Sequence, residues 1–305
     1  MNVHVIPFPG NESIGAALAT GCGATQGVLR WRRFPDRESL VTLEGDCAAR
    51  DVVIVCSLCD PDLLALPLLF AARTARELGA RSVGLVAPYL AYLRQDSNFH
   101  AGEAVSSVHY AAFLSWILDW LVTVDPHLHR HPDLDALFTI PASRVSAMPL
   151  IGEWIAGHVA DPVLIGPDSE SAQWAGPVAR ALDAPLVVLS KERRGDRDVE
   201  VSLPDAGAVS GRTPVLVDDI VSSGHTLLES LAALRRVGAR PAICIAVHGL
   251  FAEDADRQLL QAGAARIVST NSVAHATNAI DISGAILPMV QEQLHAMQPK
   301  PCSPT

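Results

Sequence analysis

The sequence predicts an α/β protein of two doubly wound domains, each built on a mainly parallel sheet. Three observations carry that reading. Short β-branched runs alternate with longer stretches of helical periodicity, the rhythm of a parallel sheet covered on both faces. The rhythm runs through the chain twice. And 305 residues, 49% of them apolar and 18% charged, supply core material for two domains and exclude a disordered chain.

In the first half, residues 51–57 (DVVIVCS) read as a buried strand, 63–78 as a helix stopped by Gly79, and 81–87 as the next strand. Residues 108–118 then read as a helix and 120–124 as a strand. In the second half, 162–165, 186–189, 213–217, 241–247 and 265–269 read as strands. Helices over 171–182, 226–237 (closed by Gly238) and 254–262 separate them. The expected division is residues 1–145 and 146–298, with the last helix free to pack back on the first domain and a disordered tail over 299–305.

Composition narrows the function. Lys+Arg is 23 against Asp+Glu 33, a formal charge of −10, which argues against a sequence-blind grip on nucleic acid. The start of the chain has no basic stretch followed by a long apolar one. The apolar runs 63–72 and 111–124 are broken by Pro67 and Asp119. A soluble, cytoplasmic protein with no membrane partner is expected. The six cysteines are too few for a disulfide scaffold, and Cys56 and Cys59 lack two further soft ligands at zinc spacing. They read as buried thiols at a strand end, with a redox pair as the alternative. Trp116 and Trp120 read as packing residues.

The chemistry concentrates where strands end, the place at which doubly wound sheets bind ligands. Residues 215–227 read VLVDDIVSSGHTL. An apolar strand runs into Asp218 and Asp219, then a small-residue turn (Ser222, Ser223, Gly224, His225, Thr226), then a helix. Small residues let backbone N–H groups approach a phosphate, hydroxyls add donors, and the helix N-terminus favours an anion. The two acids suit sugar hydroxyls, directly or through magnesium. There is no G-x-x-x-x-G-K-[ST] loop, so any use of ATP relies on another architecture.

This string resembles the phosphoribosyl-diphosphate loop of type I phosphoribosyltransferases and of phosphoribosyl-diphosphate synthetases. Further motifs separate the two: FPDRE at 34–38, RQD at 94–96 followed by Phe99 and Gly102-Glu103, TVDPH at 123–127, GPD at 166–168 and KERR at 191–194. With VHGLF and STNSVAHATNAIDIS they form a collinear set over residues 34–283, similar to the ribose-phosphate diphosphokinases, also called phosphoribosyl-diphosphate (PRPP) synthetases. The resemblance implies two phosphoribosyltransferase-like domains. It implies transfer of the β,γ-diphosphoryl group of Mg-ATP to the C1 hydroxyl of ribose 5-phosphate, giving PRPP and AMP.

By the same resemblance Arg94, Gln95 and Asp96 lie at the ATP site. Phe34, Asp36 and Glu38 line the adenine pocket of a neighbouring subunit, which implies a homo-oligomer, dimer or hexamer. His127 also binds ATP, and His127 and Asp168 hold the magnesium. Lys191 and Arg193 belong to a mobile catalytic loop. Asp218, Asp219, Ser222, Ser223, Gly224, His225 and Thr226 bind ribose 5-phosphate. His129 and His131 read as solvated loop residues. The sequence departs from the family pattern at Arg37 (glycine elsewhere), Glu192, residues 169–171, Ser222 (an archaeal-like feature) and His225 (glycine elsewhere). A non-catalytic regulatory homologue and a PRPP-consuming phosphoribosyltransferase are the alternatives.

Overall fold

The computed structural model describes residues 2–98, 100–128, 133–193 and 199–298. Phe99, His129, His131, Arg194, Cys302 and the tail over 299–305 lie outside the described residues. The chain divides into two compact units, Met1–Val145 with Ser283–Thr305, and Ser146–Ile282.

The first unit contains strands β1 (Val3–Pro7), β2 (Thr25–Gln26), β3 (Val28–Arg33), β4 (Ser39–Glu44), β5 (Asp51–Val55), β6 (Ser82–Ala87), β7 (Trp120–Val124) and β8 (Ala142–Val145). Its helices are α1 (Glu12–Cys22), α2 (Pro61–Glu77) and α3 (Ser106–Ile117), joined by the C-terminal helix Ser283–Ala296. Six strands form a parallel sheet in the order β2-β1-β5-β6-β7-β8, and β3 and β4 form a separate antiparallel hairpin. All five residues of β1, β5 and β7 are buried, as expected of strands covered on both faces. The sheet tolerates Trp120 because Gly84 faces it: a Cβ on Gly84 would stand 1.9 Å from the indole ring. Asp51, fully buried, opens β5 and accepts from Arg81 Nε at 2.9 Å and Ser82 Oγ at 2.8 Å, so its charge is matched.

His4 in β1 is the buried titratable group with the clearest consequence. Its Nδ1 lies 2.8 Å from Thr25 Oγ1, and its ring occupies space that a Cβ on Gly27 or Gly45 would enter at 2.4 Å. Burial first, then the Arg50 guanidinium, hold its pKa below the usual imidazole value. The folded chain therefore binds fewer protons than the unfolded chain between the lowered value and about 6.5. This contribution to stability is complete above that range and is lost as pH falls through it. The thermal midpoint is expected to fall between about pH 7 and 5, and His4→Asn to flatten that slope. Parallel slopes in the two proteins, measured by circular dichroism, would remove His4 from the account.

The second unit contains α4 (Met148–His158), β9 (Pro162–Gly166), α5 (Ala172–Ala181), β10 (Leu186–Val188), β11 (Ser190–Arg193), β12 (Val199–Ser202) and α6 (Ala206–Val209). It continues through β13 (Thr213–Val221), α7 (His225–Arg236), β14 (Ile243–Gly249), α8 (Ala255–Gln261), β15 (Arg266–Thr270) and β16 (Asn278–Ile280). Its parallel sheet runs β10-β9-β13-β14-β15-β16, with β11 and β12 as an antiparallel hairpin apart from it. Strand β13 sits between β9 and β14 and exceeds its sequence-predicted length by four residues, ending at Val221 rather than Val217. Its neighbour β14 pairs as far as Gly249, opposite Val221, and that pairing carries the strand past the two acids.

Two expectations are corrected. Trp116 is 63% exposed, with the Arg73 guanidinium 4.6 Å over its ring, because the core stripe of α3 is taken by Ser107, Ala111, Leu114 and Ile117. Cys56 is buried, but Cys59 is exposed at the start of α2. Both thiols are free, and burial favours the protonated form of Cys56, which makes it a poor nucleophile.

Candidate functional site

In the second unit, β9 and β13 are neighbours, so the residues after their carboxyl ends are brought together. Asp168 follows β9. Its Oδ1 accepts from the backbone N–H of Glu170 at 3.1 Å and Ser171 at 3.0 Å, which fixes the turn that opens α5. Oδ2 takes no part in that turn. Gly166 allows this close packing, since a Cβ there would stand 2.3 Å from Ser171 Oγ.

Asp218 and Asp219 lie within the extended β13. The Asp218 Oδ1 accepts from the Asp219 N–H at 3.1 Å, and the Asp219 Oδ1 from the Ile220 N–H at 2.8 Å. Burial, then the negative charges of Asp219 and Asp168, push the Asp218 carboxyl well above the usual carboxylate range. Asp218 thus lies within electrostatic reach of both Asp219 and Asp168, a repulsion that a bound cation or a set of donors would relieve.

After Val221 the chain bends through Ser222 and Ser223 to Gly224, whose φ of 72° lies in the left-handed region. The turn delivers the backbone directly into α7, whose first residue is His225. Leu227 and Leu231, 1% and 4% exposed, seat the helix in the core that also holds Ala255 and Leu259 of α8, and those two residues lie beneath Gly224. The loop is therefore a rigid, small-residue turn opening a twelve-residue helix, with Ser223 and His225 exposed and Ser222 and Thr226 half-buried. Its N–H groups and hydroxyls suit a phosphate.

Lys191 and Arg193 fall two positions apart in β11, in register with Val201 and Val199 of β12. The expected loop is thus a hairpin strand as far as Arg193.

In the first unit, Arg94, Gln95 and Asp96 follow β6 and His127 follows β7, and these two strands are neighbours. Arg94 is exposed, whereas Gln95, Asp96 and His127 are half-buried. The Gln95 carbonyl accepts from the N–H of Ser107 at 3.2 Å, tying this segment to the start of α3. Beside it lies a cleft of about 340 Å³ lined by Asp62, Tyr92, His109, Tyr110 and Phe113 among others. None of these five was singled out from the sequence, because each sits at helical or turn spacing that reads as packing.

Phe34, Asp36 and Glu38 lie at the tip of the β3–β4 hairpin, and all are exposed. Arg32 covers one face of the Phe34 ring at 4.5 Å. Arg37 has φ 75°, the left-handed conformation that glycine adopts freely, so the turn keeps its shape with a side chain that costs about 1–2 kcal/mol there. Hydrogen bonds hold it: Arg37 N–H to the Phe34 carbonyl at 2.9 Å, and Glu38 N–H to Asp36 Oδ1 at 3.1 Å.

Glu229 is the residue of the second unit that sequence reasoning missed. Its Oε1 lies 3.1 Å from His225 Nε2, and the i,i+4 spacing was the available signal. Among the described residues no group of three or more His, Cys, Asp or Glu side chains is gathered for a metal. The carboxylates of Asp168, Asp218 and Asp219 nonetheless fit magnesium, which takes one or two protein oxygens and completes its shell with water and ligand phosphate. No helix among the described residues is long and apolar enough to cross a membrane.

Two parallel-sheet units with acid-tipped strands and a glycine turn at a helix start define a tandem protein of the phosphoribosyltransferase class. Comparison with known proteins agrees. Residues 3–117 match the family described as the N-terminal domain of ribose phosphate pyrophosphokinase, and residues 142–282 match the phosphoribosyl transferase domain. The ribose-phosphate pyrophosphokinase of Methanopyrus kandleri is 33% identical, over 91% of this chain and 95% of its own. Ribose-phosphate pyrophosphokinase 2 of Archaeoglobus fulgidus is 32% identical, over 93% and 98%. The crystal structure of phosphoribosylpyrophosphate synthetase from Mycobacterium smegmatis has the same fold, with a TM-score of 0.80 at 22% identity over 97% of this chain and 98% of that one. The chain belongs to the ribose-phosphate pyrophosphokinase family.

Proposed function

We propose that this chain transfers the β,γ-diphosphoryl group of Mg-ATP to the C1 hydroxyl of ribose 5-phosphate, giving PRPP and AMP. The observation that carries the proposal is the β13–α7 junction. Two acids, one with its carboxyl pushed up by its neighbours, precede a left-handed glycine and a helix start. A sugar with a phosphate on C5 satisfies all of it. Ser222, Ser223, Gly224, His225 and Thr226 take the phosphate, and Asp218 and Asp219 take ring hydroxyls.

In the first unit, Arg94, Gln95, Asp96 and His127 bind the nucleotide, with the planar fork of Arg94 suited to phosphate oxygens. The exposed tip with Phe34, Asp36 and Glu38 lines the adenine pocket of a neighbouring subunit, and its lack of burial in its own chain supports a homo-oligomer, dimer or hexamer. Asp168 holds magnesium in the second unit, and His127 contacts the metal–nucleotide in the first, through water if the imidazole is neutral. When bound, magnesium supplies charge neutralisation on the polyphosphate. The remaining task is positioning: the C1 hydroxyl must meet the β-phosphorus in line, and Lys191 and Arg193 neutralise charge as the bond to the α-phosphate breaks. The setting is a cytoplasmic enzyme with no nucleic-acid partner.

Incubation of the intact protein with ATP, magnesium and ribose 5-phosphate should yield AMP and PRPP in equal amounts. AMP and PRPP both absent across a range of phosphate concentrations would count for a regulatory homologue. Base-dependent release of diphosphate from PRPP would count for a transferase that consumes it.

A further inference from the structure

The turn that follows β14 carries a backbone strain that a mere connection does not need. Phe251, Glu253 and Asp254 all have left-handed backbones, with φ of 42°, 56° and 58°. A side chain makes that conformation unfavourable, and three such residues in four persist only where the surroundings impose them. What surrounds this turn is the loop at 222–226. The N–H groups of Leu250 and Phe251 both donate to the carbonyl of Val221 at 3.0 Å, and Val221 is the residue before Ser222. At the far end of the turn, Ala255 opens α8 and supports Gly224, where a Cβ would stand 3.4 Å from it. The turn therefore touches the loop on both sides of Ser222 and Ser223. The Phe251 ring holds the turn in place. It is 7% exposed and folds back over the end of β14, where a Cβ on Gly249 would stand 2.4 Å from it. Its centroid lies 4.6 Å from that of the His275 ring, whose Nδ1 accepts from the Thr277 N–H at 3.2 Å. The Glu253 carbonyl accepts from Gln258 Nε2 at 2.8 Å, which ties the strained stretch to α8.

Resting on the reading of residues 222–226 as a phosphate loop, we propose that Phe251 is a positioning residue for the sugar phosphate. It acts through the loop, not on the substrate. Its ring keeps residues 250–255 in their strained form, and that turn holds the Val221 carbonyl and the underside of Gly224. The loop is thus shaped before the phosphate arrives, and the anion binds without first ordering its own donors.

The test measures kcat and both KM values on the intact protein, with saturating Mg-ATP while ribose 5-phosphate is varied. Without the ring the turn relaxes, and a loop that keeps its binding shape about a tenth of the time raises KM for ribose 5-phosphate about tenfold. Phe251→Ala is expected to show that rise with kcat and KM for ATP each within about twofold of the parent, because saturating sugar phosphate selects the ordered loop. A purely structural loss would shrink the folded fraction instead, lowering kcat and leaving both KM values alone. Phe251→Leu keeps an apolar side chain in the same place, so it guards against a variant that does not fold, and should raise the KM about threefold. Gly249→Ala, which displaces the intact ring, should raise it too. A KM for ribose 5-phosphate unchanged in Phe251→Leu and Gly249→Ala overturns the proposal. So does a change that falls on kcat, or equally on KM for ATP. Ser223→Ala and Thr226→Val form a separate arm and should each raise the KM for ribose 5-phosphate. If neither does, the phosphate-loop reading fails and the role of Phe251 falls with it. If they do while the Phe251 and Gly249 variants miss their pattern, only the role of Phe251 is lost.

Discussion

Lys191→Ala is expected to lower kcat by about 10²–10³-fold, the range for losing one preorganised donor to a developing anion. KM for ATP and for ribose 5-phosphate should each move by less than about tenfold. The split follows from the chemistry. In the proposed mechanism substrate phosphates are held by loops at strand ends, whereas the charge that appears as the bond to the α-phosphate breaks exists only in the transition state. Lys191 lies in the β11–β12 hairpin, outside the six-stranded sheet, so its removal should leave the unfolding midpoint unchanged. Lys191→Arg keeps the charge but exchanges a compact ammonium for a planar fork, and should restore only part of the rate. Steady-state kinetics on purified variants check this. A loss confined to KM would make Lys191 a ground-state contact.

Asp218→Asn is expected to separate stability from function. Burial and the charges of Asp219 and Asp168 raise the Asp218 carboxyl, so the folded state binds a proton that the unfolded state releases first. Stability falls as pH rises from the ordinary carboxylate range through the raised value, and above that range the carboxyl group is a cost to the ligand-free fold. A neutral amide removes that cost. The unfolding midpoint without ligands should rise by about 2–4 °C, equivalent to ~1 kcal/mol. In the same variant kcat/KM for ribose 5-phosphate should drop by about 10–100-fold, the loss expected of a charged hydrogen-bond acceptor for sugar hydroxyls or metal. Calorimetry with and without magnesium and ribose 5-phosphate checks both halves. A lower midpoint in the ligand-free variant would mean that the carboxylate supports the fold rather than straining it.

The central parallel strands were legible because they are largely apolar runs, as at Asp51–Val55 and Trp120–Val124, which burial on both faces explains, whereas β1 and β2 near the start of the chain were not read. The β3–β4 hairpin was not read either. Most of its residues are exposed or half-buried, and Val28–Arg33 carries three arginines, so it lacks the continuous apolar run that marks the sheet strands. The short strands Ala142–Val145 and Asn278–Ile280 went unseen for want of length. At the site, the acid pair and glycine turn were readable because few sequences need all of those residues at once. The crowding of Asp218 by Asp168 came from two strands far apart in sequence, and only the β9–β13 pairing reveals it. Trp116 was misread because spacing alone does not distinguish the two sides of a short helix that is apolar nearly all round.

The reaction itself can be followed by the fate of a single phosphorus. With ATP labelled in the γ-phosphate, magnesium and ribose 5-phosphate, the label should appear in PRPP in step with AMP, and not in orthophosphate. Label in orthophosphate or in a sugar bisphosphate, accompanied by ADP, would mean that attack falls on the γ-phosphorus and would contradict diphosphoryl transfer.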